Sequence, residues 1–179
     1  RYGSLPFAGL ARAGFVATQI LDSLSTIGVL SQEEVSAFRR SIGTITSDLS
    51  SDKSKISRHE FLEKYGHLRP GTYDISSFRY DERSDDYFTW APEGEDASDQ
   101  GWSADPVQND FALSLEQIRD ITLLLEQHNI DISVLELMDF IQNAIRLREY
   151  AKFEFTKNLS NALKLIEELG NEYGFTRDD

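Results

Sequence analysis

Four times along this chain a serine stands three residues ahead of a glutamate or glutamine, and each time an apolar-periodic run follows: Ser31 with Glu34, Ser57 with Glu60, Ser114 with Gln117 and Ser133 with Glu136. In that spacing the serine oxygen accepts a backbone N–H left free in the first helical turn, and the acidic or amide side chain reaches back. No period-2 alternation longer than a few residues competes with these starts. Together with the apolar stretch Leu5–Val29, the pattern predicts an all-α fold, irregular and multi-helical. Gly28 is placed to stop the first helix and Ser31 to cap the next. The last helix is expected to run from Ser133 to about Gly170, roughly 55 Å at 1.5 Å per residue.

A length of 179 residues predicts one helical domain, able to bury roughly 70% of its unfolded surface without disulfides or metal. The absence of cysteine removes thiol catalysis, Cys-ligated zinc and iron–sulfur chemistry. With 18 basic and 31 acidic side chains the net charge is −13, which argues against a broad nucleic-acid surface, since counterion release needs clustered Lys and Arg. No apolar run approaches the roughly 20 residues that span a bilayer, and no basic-then-apolar leader is visible. The sequence starts at Arg1 without a Met and reads as folded-domain sequence from Tyr2 onward. The expectation is a cytoplasmic segment of a longer polypeptide.

Three stretches stand out. The first helix is rich in small residues (Ala8, Gly9, Ala11, Ala13, Gly14, Ala17) and reads as a tightly packed buried helix rather than a ligand cleft. Residues 81–110 hold ten acidic side chains against one basic, Arg83, and both tryptophans, Trp90 and Trp102, with no helical stripe. A loop of that length is either a solvated linker or a lid that folds over a partner. In the last helix, Val134, Met138, Ile141 and Ile145 share a face to which Leu159, Leu163 and Ile166 return. That places Lys152 at the centre of the face, with Arg148 and Glu149 at its edges. Charge in a buried face needs partners or a wet cavity; the alternative is a face that changes sides, with Leu147, Ala151 and Phe153 taking over.

The densest set of chemistry-bearing residues is Tyr65–Arg83, YGHLRPGTYDISSFRYDER. Gly66, Pro70 and Gly71 prescribe a defined turn, around which sit His67, Arg69, Tyr73, Asp74, Arg79 and Asp81. Guanidinium groups offer bidentate bonds to carboxylate or phosphate, so Arg69 and Arg79 are candidates to hold an anionic group. A knot of Arg–Asp pairs bracing the loop is the alternative. His59, Glu63 and His67 are spaced by four, but Gly66 is expected to end the helix before His67 joins that face, and no metal is assigned. No G-x-S-x-G, Walker or G-x-G-x-x-G motif is present.

The stretch FLEKYGHLRPGTYDISSFRYDE resembles a segment of the phosphoenolpyruvate-synthase and pyruvate-phosphate-dikinase-like phosphotransferases, in particular the branch that includes rifampicin phosphotransferase. There a similar passage lies in the helical region between the nucleotide-binding and phosphohistidine domains. The opening LPFAGLARAGFVA, the late REYAKFEFTKNLSNAL and the closing GFTRDD also resemble that region. The resemblance implies a relay in which ATP, with Mg, phosphorylates a histidine on a swivelling domain that then serves an acceptor. The ATP-grasp portion is missing here, and none of the three histidines has the Gly-rich setting of the phosphohistidine, so no catalytic residue is assigned.

The resulting expectation is a helical scaffold and acceptor-facing segment of a multidomain ATP-dependent phosphotransferase. His67, Arg69, Tyr73, Asp74, Arg79, Arg148 and Lys152 are its candidate substrate-binding residues, and the flanking nucleotide-binding and phosphohistidine domains its partners. The alternative is a non-catalytic helical interaction module that grips a basic partner through the acidic, Trp-bearing loop.

Overall fold

The computed structural model describes residues 3–90 and 111–177. These residues form seven helices and no strand: α1 Ser4–Thr26, α2 Gln32–Ser41, α3 Ile45–Lys55, α4 Arg58–Tyr65, α5 Ser84–Tyr87, α6 Leu115–Gln127 and α7 Val134–Glu172. The fold is all-α, and all four serine caps close. In each, the serine hydroxyl accepts the backbone N–H three residues on at 3.1–3.2 Å, and the Glu or Gln side chain accepts the serine N–H at 2.7–3.0 Å. Gly28, at φ +82°, adopts the left-handed conformation that ends α1 and that a side chain resists.

Length alone predicts one domain; the packing divides the chain into two compact units, neither continuous in sequence. Unit 1 comprises α1, α2, α6 and α7 through Ala151, and unit 2 comprises α3, α4, α5 and α7 from Lys152.

In unit 1 the core gathers Ala17, Leu21 and Leu24 of α1, Val35 and Phe38 of α2, Ile121 and Leu125 of α6, and Val134, Leu137, Ile141 and Ala144 of α7. The 3- and 4-residue steps within each helix are the period of one apolar stripe. Phe111 closes the core edge-on against Phe38, ring centroids 4.9 Å apart. The expectation of a tightly packed buried first helix holds for one stripe of it. Only Gly14, Ala17, Leu21 and Leu24 of α1 are buried, while Leu5, Phe15 and Val16 are exposed. Among the small residues Gly14 serves a close approach: a Cβ there would stand 2.8 Å from Arg148 Cδ and 3.3 Å from the Ala144 carbonyl oxygen.

Two of the caps are joined in unit 1. Gln117, whose Oε1 caps Ser114, donates from Nε2 to Glu34 Oε1 at 2.8 Å and to the Val29 carbonyl at 3.2 Å. The Glu34 carboxyl is held below the usual carboxylate range by the Ser31 backbone N–H first, then by Gln117 and the Ser31 hydroxyl.

In unit 2 an aromatic core forms on Phe61, Tyr65 and Phe153. Phe88 and Trp90 stand edge-on to Phe61, at 5.1 and 5.4 Å. α3 carries no serine capping signature and is rich in polar residues, so no local signal in the sequence announces it. It is tied to α4 through Asp52, which accepts from Lys64 Nζ at 2.7 Å and from the Tyr65 hydroxyl at 2.8 Å.

The stripe of α7 in unit 2 is also a correction. Its buried positions are Phe153, Thr156 and Ser160, a register in which Lys152 stands about 100° away from Phe153 at the helical step. Lys152 is therefore exposed, and so is Ile166. An ammonium has no reason to enter an aromatic core when a one-residue change of register keeps it in water. The segment after Asp81 differs from a solvated loop over its first ten residues. Ser84–Tyr87 are helical, Arg58 bonds Ser84 and Asp85 at 2.6 and 3.0 Å, and Phe88 and Trp90 join the core. The rest of the expected acidic loop, 91–110 with Trp102, lies outside the described residues.

Candidate functional site

The passage singled out in the sequence is built by unit 2 into a braced loop on the second half of α7. α4 ends at Tyr65, and the chain turns at Gly66, with the Leu68 N–H donating to the Tyr65 carbonyl at 2.9 Å. It returns alongside itself: the Tyr80 N–H donates to the Leu68 carbonyl at 2.9 Å and the Asp81 N–H to the Gly66 carbonyl at 3.1 Å. Between these two bonds the loop is closed by its own polar groups. The Asp74 N–H donates to the Gly71 carbonyl at 2.9 Å, and the Asp74 carboxylate accepts the Ser76 hydroxyl at 2.7 Å, the Ser76 N–H at 2.9 Å and the Ser77 hydroxyl at 3.1 Å. Those bonds, the Ser76 hydroxyl foremost, hold the Asp74 carboxyl below its ordinary range. Gly71 is required by the crowding, since a Cβ there would lie 2.7 Å from Asp74 Cβ.

Three arginines fasten this loop. Arg69 is buried and donates to carbonyls on both sides, to Asp74 and Ser77 at 3.3 and 3.1 Å within the loop and to Ser160 on α7 at 3.5 Å, with the Ser160 hydroxyl at 3.3 Å. Burial draws its pKa below the usual guanidinium value. Arg79 forks onto Asp81 with bonds of 2.9 and 2.6 Å and gives its remaining nitrogen to Asn161 Oδ1 at 2.8 Å. Arg177, beyond the end of α7, bonds Glu167 and reaches Glu82 at 3.0 Å. Glu82 also accepts the Arg79 N–H at 2.9 Å. Two guanidinium groups lie over the Phe78 ring, Arg83 at 3.7 Å and Arg177 at 4.0 Å from its centroid, each in a cation–π arrangement.

His67 is buried against Phe153, ring centroids 4.8 Å apart in an edge-to-face pair. Burial, reinforced by Lys157, pulls its pKa down to about 4 against the opposing pull of its hydrogen bond to the Phe153 backbone. The ring is therefore neutral at pH 7, and its Nε2 has no partner. Arg69 Nε and Arg177 Nη1 are likewise buried without partners.

Of the residues expected to bind substrate, the structure brings His67, Arg69, Asp74 and Arg79 into one loop-and-helix assembly. Tyr73 belongs to the same loop but is exposed, and Lys152 is exposed on α7 in unit 2. Arg148 belongs to unit 1, where it crosses Gly14, pairs with Glu149 at 2.9 Å and lies over the Phe15 ring at 5.7 Å. Arg177, Glu82, Glu167, Ser160 and Asn161 complete the assembly and were not singled out. No local spacing announces them: Ser160 and Asn161 meet the loop from 91 and 82 positions away, Arg177 meets Glu82 95 positions later, and Glu167 joins only through Arg177.

A separate open hollow of about 560 Å³ lies at the starts of α2 and α6 in unit 1, lined among others by Glu34, Glu116, Gln117 and Asp120. None of its lining side chains is a buried polar group without a partner. Among the described residues no group of three or more His, Asp or Glu is placed to hold a metal, and no helix is long and apolar enough to cross a membrane. Comparison with family models, curated proteins and solved structures finds no match to the chain.

Proposed function

We propose that this chain is a helical scaffold of a multidomain ATP-dependent phosphotransferase of the phosphoenolpyruvate-synthase and dikinase kind, acting through a phosphohistidine outside these residues. The observation that carries the reading is the state of the 66–83 loop. The passage that resembles the family is a brace whose guanidinium groups are engaged within the unit, with Arg79 closed on Asp81 and Asn161 and Arg69 on backbone carbonyls. A histidine buried against Phe153 is poorly suited to carry a phosphoryl group, which needs room and solvation. His67, Arg69, Asp74 and Arg79 thus act by fixing the loop. Its exposed Tyr73 and the exposed Lys152 are the side chains free to meet an acceptor without uncovering the core.

Phosphoryl transfer depends on positioning and charge stabilisation, which a rigid loop and an exposed ammonium supply. This reading assigns ATP and Mg²⁺ to a nucleotide-binding domain outside these residues, and gives no residue here a contact to either. The test uses the complete polypeptide. Tyr73→Ala and Lys152→Ala are expected to lower kcat/KM for phosphoryl transfer with the thermal midpoint unchanged. Full activity in both variants removes the acceptor-facing assignment, and a polypeptide without ATP-dependent phosphohistidine formation removes the phosphotransferase reading itself.

A further inference from the structure

Beyond the end of α7 the described chain, residues 173–177, is exposed except at Arg177. Gly174, at φ +82°, turns it back with bonds to the helix it leaves: the Gly174 N–H donates to the Asn171 carbonyl at 3.2 Å and the Phe175 N–H to the Gly170 carbonyl at 3.0 Å. Tyr173 and Phe175 stay more than half exposed, so the segment buries little apolar surface, the condition for an opening that leaves the rest folded. Arg177 is the side chain that turns inward. It bonds Glu167 on α7, reaches Glu82 at 3.0 Å and lies over the Phe78 ring at 4.0 Å. Closing has a cost. The guanidinium and both carboxylates are each only 14–17% exposed, so their attraction is offset by desolvation. Arg177 Nη1 is moreover buried with no partner, a donor that regains water when the segment opens.

The place that Arg177 fills is held by other bonds as well. Glu82 accepts the Arg79 N–H at 2.9 Å, the Phe78 carbonyl accepts the Tyr87 hydroxyl at 3.1 Å, Arg83 lies over the Phe78 ring at 3.7 Å, and Glu167 belongs to α7. Two carboxylates beside a ring suit the planar fork of a guanidinium, which can bond both and still lie on the ring; an ammonium, a point charge, cannot do all three. We propose that residues 173–177 form a latch that opens by itself, and that Glu82, Glu167 and Phe78 then stand as a formed seat that takes the arginine side chain of another polypeptide in exchange for Arg177. With −13 on the chain, the field favours the approach of an arginine-bearing segment. The aromatic core of unit 2 is untouched by the exchange, since none of 173–177 belongs to it. The inference stands on this seat alone and is independent of the phosphotransferase reading.

The test titrates the 179-residue chain and its Arg177→Ala variant with N-acetylarginine amide and with N-acetyllysine amide, read from the Phe78 and Glu82 amide resonances. The variant is expected to stay folded and to bind the arginine amide saturably, at least tenfold more tightly than the lysine amide. The wild type, whose seat is filled, is expected to bind the arginine amide at least tenfold more weakly than the variant does. Adding Glu82→Gln to Arg177→Ala removes the preference for arginine. In the wild type the Gly174 and Phe175 amides are expected to exchange hydrogen before those of Tyr80 and Asp81, as a latch that opens first requires. No binding by the variant, or equal binding of the two amides, overturns the seat. An Arg177→Ala chain that does not fold, or simultaneous exchange of the two pairs of amides, overturns the latch, because Arg177 is then part of the fold it closes.

Discussion

Gly66 lies against Asp81 so closely that a Cβ at Gly66 would stand 2.8 Å from Asp81 Cβ, and 2.2 Å from the Leu62 carbonyl oxygen. The absence of a side chain there lets the loop return onto the end of α4 and present Asp81 to Arg79. Gly66→Ala is expected to destabilise unit 2 by about 2 kcal/mol, in the range of overpacking at a closed contact. Gly9→Ala, in α1 with nothing within 4 Å of the added atom, is expected to stabilise by about 0.5–1 kcal/mol through helix propensity alone. Urea midpoints for the two variants should move in opposite directions.

Arg69 is the one guanidinium of the brace bonded to carbonyls rather than to a carboxylate. Arg69→Ala removes the bonds to three carbonyls, the one of Ser160 buried, and is expected to cost about 2–4 kcal/mol. Arg69→Lys should recover less than half of that, because a single ammonium cannot span the loop and α7 as the planar fork does. Hydrogen exchange separates this from a global effect. Amides of 68–81 should lose protection first, and those of the unit 1 core should keep theirs.

The buried His67 gives unit 2 a pH dependence of definite sign. Its folded pKa of about 4 lies below the ordinary 6.5, so between those values the unfolded chain binds a proton that the folded one refuses. Stability from this group is fully present above about pH 6.5 and is lost as the pH falls toward 4, by on the order of 3 kcal/mol across the interval. Burial sets the shift, Lys157 and Arg79 add to it, and the Phe153 backbone and Glu154 oppose it. Chemical unfolding of the wild type should weaken from pH 6.5 to 5, above most carboxylate titration. His67→Gln should flatten that slope; an unchanged slope would place the linkage elsewhere.

Gln117 joins two helix starts, so its loss should exceed that of an ordinary cap. Ser57→Ala removes one capping serine and is expected to cost about 1 kcal/mol. Gln117→Ala removes the reciprocal bond to Ser114, the bond to Val29 and the one to Glu34, and about 1.5–2.5 kcal/mol is expected. It should also raise the Glu34 pKa, since Gln117 is the second-largest cause of its depression. Carbon-detected NMR titration of the Glu34 carboxyl reads that shift directly.

The parts of this fold that were legible in sequence are those governed by neighbours. Ser31, Ser57, Ser114 and Ser133 act on residues three positions away, and Gly28 acts on its own backbone angle, so local spacing was sufficient. The sequence leaves two registers open for α7, one with Lys152 inside and one in which the face changes sides; the second meets the structure at Phe153, which with Thr156 and Ser160 is buried once an aromatic core sets the side, though Leu147 stays exposed. α3 was missed because its serine-rich sequence carries neither a capping box nor a strong apolar stripe, and tertiary contact through Asp52 does what propensity does not. The brace was half legible. Gly66, Arg69, Asp74, Arg79 and Asp81 announce a defined turn with ion pairs, but Ser160, Asn161 and Arg177 join it from the far end of the chain, where no spacing rule applies.

That far-end closure also has a consequence for synthesis. Phe61 and Tyr65 meet Phe153 in one core, and Phe153 is translated roughly 90 residues after Tyr65, about 5–20 s later at the usual pace of elongation. For that interval α4 and its loop have emerged without the aromatic ring and the Ser160 and Asn161 acceptors that complete them, and the three-arginine brace waits longer still for Arg177. Until the last helix is made, the nascent chain exposes an aromatic cluster beside arginines that have only their partners within the loop. Its vulnerable period is therefore set by the ribosome rather than by the folding rate of the finished unit.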